Sequence, residues 1–321
     1  MKRASVDIPA TAIFTIIAGS LIILFFVTVS FNHSEQAKEE TQAISLNYLE
    51  TLIKTAATAR ETAKNISIVD ETILFTCDEE GLRFGFDSGN ELPLQDLVIF
   101  SPRRLEGGAV RVYSRGEDMP NRVFNVLYLS TPQFILQNST VIPGLPRNIE
   151  TTKLAVGSAG DPNRRAVMSI TQVTAPQTWT NRPRDWVLLE PLGDGTYGRV
   201  HYRNPGNPAT VVVYPTSSLL YGALISRDAQ TYYCGFNAYL KQLKFVTRIQ
   251  QERAQVLKDQ AQRTGSSCYT AYQLSAYDAI MSLPAAQDFT VADARTFRDA
   301  VRELEFVNEN LKAGDGCVSL Y

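Results

Sequence analysis

The chain has 321 residues, 31 Lys and Arg against 33 Asp and Glu, and a formal net charge of −2. Charged residues make up 20% and apolar residues 44%, a balance that folds, while near-neutrality without a Lys/Arg block excludes the electrostatic footprint of a nucleic-acid-binding protein. The two histidines, His33 and His201, lie far apart in the sequence, so no metal site built on paired histidines is expected, and no cofactor motif stands out either.

The first element is the most informative. Ile8 to Phe31 form an uncharged run of 24 residues rich in Ile, Leu, Phe, Val and Ala. At ~1.5 Å per residue a helix over this run spans roughly 36 Å, more than the about 30 Å of a bilayer's hydrocarbon core. Lys2 and Arg3 precede it, and Glu35, Lys38, Glu39 and Glu40 follow. Positive charge beside a membrane segment stays inside. The sequence therefore predicts a cytoplasmic tip (1–7), a transmembrane helix (8–31) and an extracytoplasmic bulk. A cleaved secretory signal fits less well. Its apolar region runs to about 7–15 residues before a small-residue cleavage site, and Val29-Ser30-Phe31-Asn32 offers no such site.

The tip, Lys2-Arg3-Ala4-Ser5-Val6-Asp7, resembles the leader of archaeal pilin-like proteins. The resemblance implies removal of a leader ending at Ala4, a mature chain beginning at Ser5, and Asp7 near the place of the family's usual Glu. The wider plan of basic tip, single span, acidic stalk, mixed domain and helical C-terminus is similar to uncharacterised membrane-anchored proteins of archaea. That likeness implies an address and no activity.

Beyond the span, residues 32–65 read as a helical stalk. Glu35 to Lys64 contains no Pro or Gly, and Ala43, Leu46, Leu49, Leu52, Ile53 and Ala56 recur at three- and four-residue steps. Such a stripe packs on the domain or on a second copy of the stalk. Residues 66–227 read as a strand-rich α/β domain. Strands are expected at Ile66–Val69, Thr72–Cys77, Leu82–Phe86, Leu97–Phe100 and Val110–Tyr113, then at Phe134–Leu136, Leu154–Val156, Ala166–Ile170, Trp186–Leu189 and Thr210–Tyr214. One short helix, Asn121 to Leu129, is predicted after Pro120. Strand, helix and strand in succession favour an α+β or α/β ectodomain with a mixed sheet.

Residues 228–321 form a C-terminal region of three predicted helices. The first runs from Asp228 to Arg263 and ends at Gly265, with Phe236, Leu240, Leu243, Val246, Ile249, Val256 and Leu257 on its inward face. The second spans Ser267 to Ser282 and stops at Pro284. Thr290 and Asp293 form a capping-box pattern for the third, which closes at Gly314 and Gly316. Tyr232, Tyr233, Tyr239, Tyr269, Tyr272 and Tyr277 concentrate here as core or interface aromatics.

The four cysteines, Cys77, Cys234, Cys268 and Cys317, contain no C-x-x-C pair, and an even count in an exterior domain predicts two disulfides. A helix of about 30 residues holds Cys234 and Cys268 ~45 Å apart, while a bridge needs Cα atoms within ~7 Å. Cys317 returns to the end where Cys268 lies. The predicted pairs are Cys77–Cys234 and Cys268–Cys317. Asn32, Asn65 and Asn138 each open an N-x-S/T triplet, consistent with an outside location.

Chemical motifs are sparse. Leu192-Gly-Asp-Gly-Thr-Tyr-Gly-Arg-Val200 fits G-x-G-x-x-G and resembles the glycine-rich loop of protein kinases. No lysine lies between Lys153 and Lys241, and neither His-Arg-Asp nor Asp-Phe-Gly occurs. The glycines lead into a strand rather than a helix, which reads as a hairpin turn. No G-x-S-x-G elbow is present, and His201 is the single plausible histidine base for a serine. Asp78-Glu-Glu-Gly81 reads as a solvated turn, and Arg103-Arg104 and Arg182-Pro-Arg184 as short basic loop patches. No catalytic residue is assigned. The expectation is a single-pass envelope protein with a structural or binding role, in contact with the lipid bilayer, an envelope partner or its own copy. A pilin-like assembly subunit and an extracytoplasmic hydrolase are the alternatives.

Overall fold

A computed structural model of the chain describes residues 10–320 apart from 60, 69–71, 79–80, 88, 90, 119–121, 133, 138–149, 153–163, 170–185, 204–209 and 314–316. The predicted cytoplasmic tip, Glu79, Glu80, Asn138, the strand at 154–156, the Arg182–Arg184 patch, Gly314 and Gly316 lie outside the described residues. So do the side chains of His33, Glu35, Lys38 and Glu39. The chain divides into two compact units, Met1–Tyr48 and Leu49–Tyr321.

The first unit carries most of α1 (Ala10–Thr58). Leu21, Ile23, Leu24, Phe25 and Val27 are all exposed there, from 47% to 66%. At about 100° per residue these five positions cover a little over half of the helix circumference, and that broad apolar arc is open. Among the described residues no helix is long and apolar enough to cross a membrane. The predicted span begins before the described residues, and most of its side chains lie outside them.

In the second unit α1 ends at Thr58, not at Lys64 as the unbroken pattern predicted. Leu49, Ile53 and Ala56 are buried. Side chains from the adjoining sheet take up the terminal carbonyls. Asn125 donates to Ala57 O, Arg122 Nη2 to Ala59 O (3.2 Å) and Ser114 Oγ to Ala59 O (3.0 Å). The last carbonyls of a helix have no partner within it, so these donors fix where α1 stops. The chain then enters β1 (Ala63–Ser67).

The first sheet has the order β1, β7 (Ala109–Asp118), β8 (Arg122–Ser130), β5 (Val98–Phe100), with β5 parallel to β8 and the other pairs antiparallel. The second is antiparallel, β4 (Glu91–Pro93), β3 (Gly81–Phe86), β2 (Ile73–Asp78), β6 (Arg104–Leu105). The third is mixed. β10 (Glu150–Thr152), β9 (Ile135–Gln137), β11 (Arg164–Ser169) and β12 (Trp186–Leu192) run parallel, and β13 (Tyr197–Arg203) and β14 (Thr210–Tyr214) continue antiparallel. The class is α+β with a mixed sheet and helices toward the C-terminus.

The helix predicted at Asn121–Leu129 is strand β8. Its apolar spacing imitates a helix, but Val126 to Ser130 are buried at every position because β8 lies between β7 and β5 and is covered on both faces. Conversely, α2 (Ser217–Ile225) escaped the reading of 66–227 as strands and turns. Eight of its nine residues are buried, so no polar face marks the helical period. Thr216 caps it, its Oγ1 accepting from Leu219 N at 3.2 Å. At its other end Arg165, 1% exposed, donates to the carbonyls of Leu224 and Arg227 and stands 5.4 Å from the Tyr202 ring.

α3 (Ala229–Arg263) begins at its Asp228 cap. It ends in a Schellman arrangement: Gly265 has φ +67°, Ser266 N donates to Ala261 O, and Gly265 N to Gln262 O. Its buried face differs from the predicted one. Ile249 and Val256 are exposed, and Thr247, Ala254 and Ala261 are buried in their place. That face meets the 3-10 turn Ser267–Thr270 and α4 (Ser275–Met281), where small side chains permit close approach. The predicted second helix is thus broken. Tyr272 turns inward between its two halves and donates to Val318 O at 2.7 Å. α5 (Val291–Ala313) opens on the capping box, with Thr290 N to Asp293 Oδ2 at 2.8 Å and Asp293 N to Thr290 Oγ1 at 3.3 Å.

Cys77 is bonded to Cys234 (Cα–Cα 6.0 Å), joining the second sheet to α3, and Cys268 to Cys317 (5.6 Å), joining the turn after α3 to the tail. One apolar core runs through the first and third sheets and α2 to α5, so residues 66–227 and 228–321 share an interior.

Phe100 holds α2 and α3 to that core. Its ring is fully buried and stacks near Tyr128 (6.1 Å) and Tyr232 (5.8 Å). A Cβ on Gly222 of α2 or on Gly235 of α3 would stand 2.6 Å from that ring, and one on Gly235 would also meet Ile99 O at 2.6 Å. Gly235→Ala is expected to lower stability by about 1–3 kcal/mol, although alanine in a helix interior is worth ~1 kcal/mol over glycine. The backbone carbonyl of Ile99 cannot yield. Chemical denaturation of the oxidised protein measures this, and a Phe100→Leu background should shrink the loss. A stabilising Gly235→Ala would mean that the close approach is absent.

Candidate functional site

The second unit contains a cavity of about 530 Å³ whose walls come from four separated segments. β7 contributes Arg115, Gly116, Glu117 and Asp118, and the β12–β13 turn contributes Gly195 and Thr196. Pro215 to Ser218 and Leu220 bring the opening of α2, and α5 supplies Phe297, Arg298, Val301, Arg302 and Glu305.

Arg115 and Glu117 lie two residues apart on one strand and so share a face. Arg115 Nη2 donates to Ser217 Oγ at 3.3 Å, and its guanidinium carbon stands 5.0 Å from the Tyr221 ring centroid. Glu117 is 7% exposed and accepts from Tyr239 Oη at 2.8 Å. Burial pushes its carboxyl up from the ordinary value, against the opposing pull of Ser218, Tyr239 and Arg115. Tyr128, fully buried beside them, donates to Ser218 O at 3.0 Å, and burial raises its phenol as well. The β7–β8 register slips between Glu117 and Asp118, an irregularity typical of strands that re-aim side chains at a site.

The opposite wall is latched by Asp194. Its Oδ1 accepts from Thr196 N (3.1 Å) and Thr196 Oγ1 (2.6 Å), and its carboxylate meets Arg302 Nη2 (2.6 Å) and Arg298 Nη1 (3.6 Å) on α5. The Thr196 hydrogen bonds, then the two arginines, bring its carboxyl down to about 2. A depressed carboxyl contributes stability above the ordinary carboxylate range and loses it as pH falls through the folded value. Arg298 also stands 4.7 Å over the Tyr197 ring.

The residues singled out from the sequence fare differently. The G-x-G-x-x-G segment is a hairpin turn between β12 and β13. Gly193 and Gly195 have φ of +59° and +84°, and a Cβ on Gly198 would lie 2.2 Å from Glu190 O. The glycines thus serve the turn and the strand packing. His201 pairs with the Glu190 carboxylate at 3.0 Å and is not set against a serine. His201 and Arg199 draw the Glu190 carboxyl below its usual range although burial works the other way. Gly81 N donates to Asp78 Oδ1 at 3.1 Å in the β2–β3 turn. Arg104 is engaged by Asp87 and Glu106. All four cysteines are consumed by the disulfides, and no cluster of metal-ligating side chains occurs among the described residues.

Sequence reasoning missed the cavity because its walls are separated by scores of residues and carry no short motif. One local signal was legible in hindsight: Thr216-Ser-Ser precedes the apolar run of α2 as a cap does. As a chemical environment the site offers guanidinium and hydroxyl donors, a buried acid and an apolar wall. No protein family, curated protein or solved structure matches this chain.

A carboxyl raised by burial favours the folded state below the ordinary carboxylate range and costs stability as pH rises through its folded value. Glu117→Gln removes that cost and keeps an acceptor for Tyr239. The melting temperature of Glu117→Gln relative to the parent should therefore climb as the pH rises above the ordinary carboxylate range. A difference that stays flat or falls with rising pH would refute the raised value.

Proposed function

We propose that this chain is a single-pass membrane-anchored protein whose disulfide-bonded α+β unit lies outside the cytoplasm and has a binding role at the cell envelope. The observation that carries the reading is the oxidation of all four cysteines into two bridges, which persist where glutathione does not reduce them. The anchor is supported by the 24 uncharged residues from Ile8 to Phe31, and by the exposure of five large apolar side chains between Leu21 and Val27. Lys2 and Arg3 support a cytoplasmic N-terminus. The cleft beside α2 favours binding over assembly alone.

Full-length protein should sediment with membranes, resist carbonate extraction and dissolve in detergent. Non-reducing peptide mapping should show Cys77 joined to Cys234 and Cys268 to Cys317, and protease added to intact cells should degrade the bulk. Recovery in the soluble fraction with Met1 intact and all four cysteines alkylated without prior reduction would defeat the proposal. A mature chain beginning at Ser5 would turn it toward the pilin-like alternative.

A further inference from the structure

We propose that α3 pairs antiparallel with α3 of a second copy of this chain, through the row that carries Phe245, Ile249 and Val256. The inference goes beyond the binding role above and rests neither on the cleft nor on the membrane address. Phe245 is 62% exposed, Ile249 52% and Val256 64%. At about 100° per residue the three fall within about 40° of arc. They lie opposite Leu243, Thr247, Ala254 and Ala261, the side of α3 that is buried. Large apolar side chains aligned on the outward side of a helix form a contiguous patch, unlike singly scattered ones.

The charges beside the row identify the occupant. Lys241, Arg248, Glu252 and Asp259 all fall on one flank of it, within about 40° of arc. Lys241, Arg248 and Glu252 are exposed, and none of the three has a side-chain partner among the described residues. Asp259 is half-buried and accepts from Gln255 of its own helix at 2.7 Å. Arg248 and Glu252 lie two residues on either side of Gln250, and Lys241 and Asp259 nine residues on either side. A two-fold axis at the height of Gln250 therefore sets Arg248 of each copy level with Glu252 of the other, and Lys241 level with Asp259. The axis also brings the same flank of both helices together. Opposite charges meet at all four levels, and no two like charges stand level. Ile249 meets its own copy beside the axis, and Phe245 comes within one residue of the level of Val256 on the other helix. A parallel pair would set each of the four charges against itself, which is repulsive. The charge order on α3 is thus complementary to its own reverse.

The test is analytical ultracentrifugation of the full-length oxidised protein in density-matched detergent, with micelles in excess so that two chains do not share one by chance. One helix against one helix is a small interface, so the parent should pass from monomer to dimer at about 10–100 μM. Ile249→Asp, which sets two carboxylates against each other beside the axis, should raise the dissociation constant about tenfold or more. Arg248→Glu and Glu252→Arg should each raise it about threefold or more, and the protein carrying both should return to the parental value. Both disulfides and the melting transition should be retained throughout, and Val256→Asp replaces Ile249→Asp if that variant does not fold. A parent that stays monomeric across the concentration range overturns the inference. So does a dimer whose dissociation constant Ile249→Asp leaves unchanged, since another surface then holds the copies. A double charge reversal that dimerises no better than its parent single variants overturns it as well, because the antiparallel register requires the rescue.

Discussion

The placement of Phe100 between two helical glycines is the constraint on which the second unit depends. A core ring normally meets the side chains of a helix, at interaxial distances those side chains set. Here it meets backbone at Gly222 and Gly235, so α2 and α3 approach β5 more closely than any other residue pair would allow. The consequence is positional. With α2 pressed onto β5, Tyr128 of β8 reaches Ser218 O, and Tyr239 of α3 reaches Glu117 of β7. Arg115 then finds Ser217 at the head of α2. The floor of the cleft is thus a by-product of how tightly the helices seat.

The disulfides act on a different part of the architecture. The second sheet has its own small apolar cluster, with Phe75 and Phe84 rings 6.3 Å apart, and it lies outside the main core. A small antiparallel sheet of that kind buries little area, and area is what stabilises it. Cys77–Cys234 ties it to the longest helix of the second unit. Cys268–Cys317 does the same for a tail that ends the chain without further secondary structure among the described residues. The two bridges close segments of very different length, 157 and 49 residues apart in sequence, and in the chain-entropy view the longer loop restricts the unfolded chain more.

Legibility in the sequence followed the locality of the physics. α3, its Asp228 start, its Gly265 stop and the Thr290–Asp293 capping box were readable because each is settled within a few residues by hydrogen bonds of the chain to itself. The strands of the hairpins were readable for the same reason. β8 and α2 were not, because burial on all sides erases the periodicity that distinguishes strand from helix. The inward face of α3 was misjudged beyond Leu243, since Thr247, Ala254 and Ala261 are buried by what packs on them and not by their hydrophobicity. Helix length excluded one cysteine pairing, which made a long-range fact legible from a local one. The cleft had no such shortcut, because Arg115, Thr196, Ser217 and Arg298 meet only through the tertiary fold.

The glycine-rich turn shows how a phosphate-loop pattern can be turned to another use. In a nucleotide-binding loop the backbone N–H groups face the ligand. Here Gly193 and Gly195 let the chain reverse with positive φ, and the residue between them, Asp194, directs its carboxylate at α5. The anion that such a turn would cradle is replaced by a side chain of the turn itself, matched to Arg298 and Arg302. That choice fixes the turn as a wall of the cleft, with Thr196 on its lining. It also satisfies part of the positive charge at the mouth and leaves Arg115, deeper and held by Tyr221 and Ser217, as the guanidinium nearest the head of α2. Arg115 is answered from within the chain as well, because the Glu117 carboxyl lies two residues along the same face of β7.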